Sequence, residues 1–521
     1  MAGTASGKVT DPQAVVGNGG IPVKGRGWIV AALMLVMVLA SLEATITATA
    51  MPTIIGDLHG LEHYSWVASI YLLASTVVMP LYGRLSDVWG RKRVIVFAIA
   101  LFATGSLLAA CSQNMGQLIV FRGIQGLGAG GIMPVVLTIL GDIFTLEERG
   151  KIQGVFSAVW GTAALAGPML GFLLIRTLGW PSIFWVNLPA GLLGVLILLT
   201  KYHETEKGHS TELDLPGVVT LGLGASALLA GVSFLGGMTV QPWVPVSLLA
   251  LAAGLIGVFV GIERKSKNPI MPPRLMLQRA IGPAMVISGL IGVGVFSLET
   301  FVPLFVQGGR GGSAAATAAT VTPVMLAWAS SSYFAAPLLV KWGFRKLAIV
   351  GAGLILSGFL GLLACVYFQA PLLLIMLTLF MTGAGFGPAS MSCLLSAQAA
   401  VAWQQRGMVT SSITFYRNFG GALGVGLLGA LFNMQAARRL AELAQGKFAV
   451  SDLLSHHKLA ELQKTHPDIL KSAQGEIVGG LWWVFVMMVA LAALQVMVAL
   501  FISKAHAKKP ADAGDALVAV E

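Results

Sequence analysis

Glu43, Glu299, Arg122 and Arg417 are ionisable residues set inside long apolar runs of a 521-residue chain. A carboxyl group taken out of water holds its proton more tightly. Such an acid can load and release a proton near ambient pH. It can also neutralise a cationic ligand, so that proton and cation compete for one site. An arginine in hydrocarbon is expensive and almost always faces a cavity or a partner. Gln125 follows Arg122 by one helical turn and shares its face. Arg417, flanked by Tyr416 and Asn418, stays open to two readings: a cavity residue that meets substrate, or a structural anchor. The histidines fall in loops and tails, which leaves proton work to carboxylates.

A denser cluster is GRLSDVWGRKR, residues 83–93, wedged between two apolar stretches. Its charges predict a loop between membrane spans, and its basic excess places that loop in the cytoplasm. Gly83 and Gly90 allow tight turns and close approach of helix ends. Asp87 can cap the N-terminus of a neighbouring helix. Arg84, Arg91, Lys92 and Arg93 can pair with acids such as Glu147 and Glu148. Contacts of this kind, made in one conformation and broken in another, would form a latch.

The elements that must position these groups follow from composition. The chain is 56% hydrophobic and 11% charged, with a mean hydropathy of +0.82. Soluble domains carry about 25% charged residues, so most of this surface is built for lipid. The 64 glycines suit close helix packing in a bilayer. The formal charge of +11 is scattered through short loops, which sets topology and argues against nucleic acid. Cys111, Cys365 and Cys393 show neither disulfide nor metal spacing. No Ser/His/Asp set, metal-ligand cluster or phosphate loop appears, so neither catalysis nor a cofactor is expected.

Fourteen apolar runs are long enough to span a bilayer, from 28–50 to 477–503. With the N-terminus inside, the lysines and arginines left outside are Arg176, Arg310, Arg438, Arg439, Lys447, Lys458, Lys464 and Lys471. Most of these lie in one long loop, where the charge rule is weak. Both termini are therefore expected in the cytoplasm. The expected organisation is a disordered tail (1–26), a six-helix half (27–200), two additional helices with linkers (201–280), and a second six-helix half (281–503). The second half holds an outer loop at 434–476, and a tail follows at 504–521. Pro80-Leu81 and the charged cluster have a worn echo in Pro337-Leu338 and VKWGFRK, as two repeated halves would require. The outer loop predicts short amphipathic helices ended by Pro467 and is open to a partner outside the membrane. Nothing requires more than one copy of the chain.

These segments together resemble the fourteen-helix drug:proton antiporter family of the major facilitator superfamily. GRLSDVWGRKR is similar to the loop signature between spans two and three. LIVFRGIQGLGAGG (118–131) resembles the fourth-span basic motif, and GTAALAGPMLG (161–171) the antiporter signature of span five. LEATITATAMPTI (42–54) and IFWVNLPAG (183–191) resemble the first- and sixth-span signatures. The resemblance implies an all-α polytopic fold in the cell membrane, exporting lipophilic and cationic compounds against protons, with the proton gradient as the energy source. It implies proton coupling for Arg122 and for Glu43, which falls on a family motif and is also a substrate contact. Glu299 matches no motif position and stands as a coupling and substrate candidate on its own place within a span, with Gln125 and Arg417 as further substrate candidates. The resemblance gives the latch to residues 83–93. Gly161, Gly167, Pro168 and Gly171 would let span five bend and seal against the other half. The family also contains lipid exporters, so an endogenous amphiphile is the alternative substrate; an uncoupled facilitator would not need Glu43. Three departures stand out: Glu43 replaces the usual Asp, Phe172 replaces a glycine, and Trp180-Pro181-Ser182 replaces Trp-Arg-Trp.

Overall fold

Long apolar helices account for nearly all of the computed structural model, which describes residues 25–58, 64–144, 146–204, 214–235, 241, 243–266, 268–437 and 467–502. In chain order they are α1 (Arg26–Leu58), α2 (Tyr64–Trp89), α3 (Arg91–Ala110), α4 (Met115–Ile143), α5 (Leu146–Leu178), α6 (Ser182–Trp185) and α7 (Asn187–Lys201). Next come α8 (Leu215–Leu235), α9 (Trp243–Lys265) and the short α10 (Pro273–Met276). The second half holds α11 (Gly282–Pro303), α12 (Ala314–Tyr367), α13 (Leu372–Ala399), α14 (Arg406–Phe432) and α15 (Pro467–Ala499). Eleven segments among the described residues are long and apolar enough to cross a membrane. The longest is α12, broken at Gly343, whose φ of 76° is left-handed backbone that favours glycine.

Polar residues set the helix ends. Asn114 accepts a hydrogen bond from Gln117 N at 2.9 Å to start α4, and Ser313 one from Ala316 N at 3.1 Å to start α12. α15 starts at Pro467, ahead of the expected span at 477, so part of the segment assigned to the outer loop is helix. The remainder of that loop, 438–466, and the tail 504–521 lie outside the described residues, as does nearly all of the tail 1–26.

Each half has its own apolar core. α1–α4 and α7 share one cluster around Val36, Ile99 and Val135, while α11–α15 enclose another around Phe386, Leu481 and Val409. The halves meet along two seams, α2 on α14 and α5 on α12. The additional pair α8–α9 lies against the first seam: Leu221 and Phe259 pack with Met79 of α2 and Phe415 of α14.

The segment 83–93 is not a loop. α2 continues through Trp89, Gly90 alone leaves helical geometry at φ 92°, and α3 begins at Arg91. Charge at the mouth of a helix bundle was misread as irregular chain.

Candidate functional site

α1 and α4 cross inside the first half and bring Glu43 against Arg122. Both are almost wholly buried, and Arg122 Nη1 donates directly to Glu43 Oε1. The pairing shows that Arg122 meets a partner, one of the two outcomes expected of an arginine in a span. Asn187 Nδ2, from the first turn of α7, donates to Glu43 Oε2 at 2.6 Å, and Thr47 Oγ1 donates to Oε1 at 2.9 Å. Arg122 Nη1 also donates to Gln125 Oε1 at 2.7 Å, and its Nε reaches Val67 O at 3.4 Å. Ser106 Oγ of α3 accepts from Gln125 and Asn187 at 3.2 and 2.9 Å. The Tyr71 ring lies 4.2 Å from the guanidinium. Both oxygens of the carboxylate face donors, as a charge held away from water requires. Asn187, Ser106, Thr47 and Tyr71 were missed in the sequence; short polar side chains in apolar runs carry no signal until their partners are known.

A second network ties the halves at the Gly90 end. The fully buried Arg91 donates to Asp87 Oδ1 at 3.0 Å, Asp142 Oδ2 at 3.2 Å and Ser86 O at 3.1 Å. It also donates to Trp403 O at 3.0 Å and lies 3.7 Å from the centroid of that indole. Asp87 accepts from Gly407 N at 3.0 Å and Met408 N at 2.8 Å, so a first-half carboxylate caps α14 of the second half. Gly83 is helical and serves close approach: a Cβ there would collide with Ser411 and Gly407 O. Arg406 and Arg149 complete the cluster, the first 3.6 Å from Asp142, the second bonded to Gln398 Oε1 at 3.3 Å. Burial and the nearby Arg406 pull the Arg149 guanidinium down to about 10.

Among the described residues, the expected pairing of these cations with Glu148 is replaced by one with Arg26, at 2.5 Å. The Glu147 side chain lies outside the described residues. Arg84 donates to Asn268 Oδ1 at 3.1 Å and Arg93 is exposed. The first turn of α3 is capped by Glu204, whose carboxylate accepts from Arg91 N at 2.6 Å and Lys92 N at 3.4 Å. Burial pushes the Glu204 carboxyl above the usual range, opposed by those amides. Asp214 and Glu263 are buried; Glu263 accepts from Ile270 N and Met271 N at 3.1 and 3.0 Å and pins the linker after α9.

Gly167 and Gly171 pack against Thr45 and Ile46 of α1, inside their own half, not across the seam. The cross-half contact of α5 is made nearer its start, where Gly154 lies against Tyr333 of α12. Gly161 and Pro168 fall on the same helix, and Phe172 points outward, 61% exposed, so it adds no bulk to that packing. In the second half, Glu299 is exposed on α11 and Arg417 half-buried on α14, and the two are not joined.

A family model described as Major Facilitator Superfamily matches residues 33–425. The multidrug transporter protein MdtP of Bacillus subtilis is 34% identical over 421 residues, covering 80% of this chain and 77% of that protein. Multidrug resistance protein 3 of the same organism is 33% identical over 410 residues, 78% of this chain and 79% of its own length. Among solved structures, that of the human organic anion transporter MFSD10 (TETRAN) superposes with a TM-score of 0.58 at 15% identity. It covers 90% of this chain and all of that one.

Proposed function

The chain belongs to the Major Facilitator Superfamily, and from that premise we propose that it is a proton-driven antiporter exporting lipophilic compounds, cations among them. It works in the cell membrane with both termini in the cytoplasm. Its multidrug-type relatives support efflux of drug-like molecules. The observation that carries the coupling step is the buried Glu43–Arg122 pair with its amide and hydroxyl donors.

Protonation of Glu43 removes the negative partner of Arg122 and replaces an acceptor by a donor facing Asn187. The four helices that meet there, α1, α3, α4 and α7, must then repack. Substrate arriving from the cytoplasm enters after the Gly90-end network breaks, releasing Asp87 from the amides of Gly407 and Met408. Closure of that network faces the site outward, and loss of the Glu43 proton to the cytoplasm resets the pair. Arg122 orients the acid and Gln125 holds Arg122. Residues 83–91 act as the latch.

The test uses inside-out membrane vesicles with a fluorescent lipophilic cation. Uptake should require the pH gradient and vanish in Glu43→Gln, which keeps side-chain shape and loses the titrating proton, while Glu43→Asp retains much of it. Uptake that survives collapse of the gradient would overturn antiport. Wild-type behaviour of Glu43→Gln would move the coupling role to Glu299.

A further inference from the structure

The two intramembrane arginines are held in opposite ways. Arg122 has a carboxylate, an amide, a backbone carbonyl and an aromatic ring. Arg417 makes no hydrogen bond or ion pair with any described residue. Besides Glu299, the described spanning helices of the second half carry acids only at Asp468 and Glu476, both near the start of α15. The guanidinium sits well inside α14, and no described residue supplies it with a counter-charge.

The neighbours of α14 fix where it looks. Gly420, Gly421 and Gly424 press on Gly289, Phe296 and Val293 of α11, and Asn418 meets Met79 of α2 at 3.7 Å. Phe415 and Phe419 turn the other way, into the cluster with α8 and α9. At roughly 100° per residue, Arg417 falls on the same stripe as Gly420, Gly421 and Gly424, toward α11, with the α2-facing Asn418 one position round the helix. The backbone of Arg417 abuts Gly292, and the exposed Glu299 stands two turns further along α11, about 10 Å on by helical rise. An uncompensated arginine in a membrane interior is costly, and its planar fork matches a carboxylate or phosphate.

We propose that Arg417 receives the anionic head, carboxylate or phosphate, of an amphiphile lodged against α14 beside α11. The site therefore takes acid-bearing and zwitterionic compounds as well as cations. This inference rests on the export reading only in naming the occupant as a transported compound; an anionic lipid headgroup carries the same chemistry.

The experiment measures binding without any gradient, so its failure is separate from failure of antiport. Purified full-length protein in uncharged detergent is titrated by fluorescence polarisation with rhodamine 110, which has a free carboxylate, and rhodamine 123, its methyl ester. Arg417→Gln should lower the acid-to-ester affinity ratio by about tenfold or more, the loss of one charge-assisted contact, and Arg417→Lys should restore part of it. An unchanged ratio in folded Arg417→Gln, or no binding of rhodamine 110 by the wild type, overturns the proposal. Should the variants not fold, phenylglyoxal labelling of the wild type decides. Protection of Arg417 by the acid and not by the ester supports the proposal, and equal labelling overturns it. Displacement of the acid dye by phosphatidylglycerol, and not by phosphatidylcholine, assigns the anion to lipid; no displacement assigns it to the transported compound.

Discussion

The two halves repeat their backbone and not their charges. Trp89-Gly90 and Trp342-Gly343 are matching one-residue breaks, with φ of 92° and 76°. Aligned on those glycines, Asp87 and Arg91 of the first half become Val340 and Phe344 of the second, and Phe344 is buried in an apolar core. The same contrast holds deeper in the bundle: Glu43 and Arg122 close on each other, whereas the exposed Glu299 and the half-buried Arg417 have no hydrogen-bond or ion-pair partner among the described residues. Turn geometry survives because only glycine takes that conformation cheaply. A charge buried in an apolar core is costly without a partner, and Phe344 has none to meet among the described core residues. One half thus holds its electrostatics internally, and the other leaves it without a partner among the described residues.

The largest test of that difference is stability. Arg122→Ala strands a buried carboxylate and should cost about 3–5 kcal/mol, whereas Arg417→Ala, which removes no hydrogen bond or ion pair with a described residue, should stay within about 1 kcal/mol of wild type. Denaturant unfolding in detergent measures both, and equal losses would erase the contrast. A smaller effect is expected at the breaks. Asp87→Asn weakens the charged cap on α14 and should raise the population open at the Gly90 end about tenfold. Distances between spin labels on the ends of α2 and α14 would lengthen accordingly. The corresponding Val340→Asn should leave those distances in place; a similar opening would mean that any polar change there loosens the bundle.

The smallest effect concerns Glu204. Because burial raises its carboxyl, the folded chain binds that proton more tightly than the unfolded chain does. Its contribution favours folding at acid pH and is lost as pH climbs from the ordinary value of 4.5 through the raised one. Thermal unfolding of Glu204→Gln should therefore show a shallower decline across that window, by a few degrees at most. A wild-type slope in the variant would assign the decline to other acids.

Charges inside apolar runs were readable at once, since Glu43, Arg122, Glu299 and Arg417 each violate their surroundings. Their pairing was not: Glu43 and Arg122 are 79 residues apart in sequence, and only packing decides whether a charge meets another charge or a cavity. The helical state of residues 83–89 was hidden because charge density marks a membrane boundary without saying whether the chain turns there. Likewise, Gly167 and Gly171 announced close packing, but glycine spacing does not specify the neighbour, and α1 rather than the opposite half fills the groove.

The cluster that joins α8 and α9 to both halves has a mechanical meaning. Phe415 and Phe419 stack at 5.1 Å beside Leu221, Phe259 and Met79, and Glu263 anchors the linker that follows. Along this flank, relative motion of the halves must drag a third body with it. The opposite flank, α5 against α12, brings Gly154 against Tyr333, and α8 and α9 do not pack beside it among the described residues. Considered as an elastic solid, the molecule is stiff on one side and compliant on the other. Its rocking axis is displaced toward α2–α14, and the widest excursions fall along α5–α12.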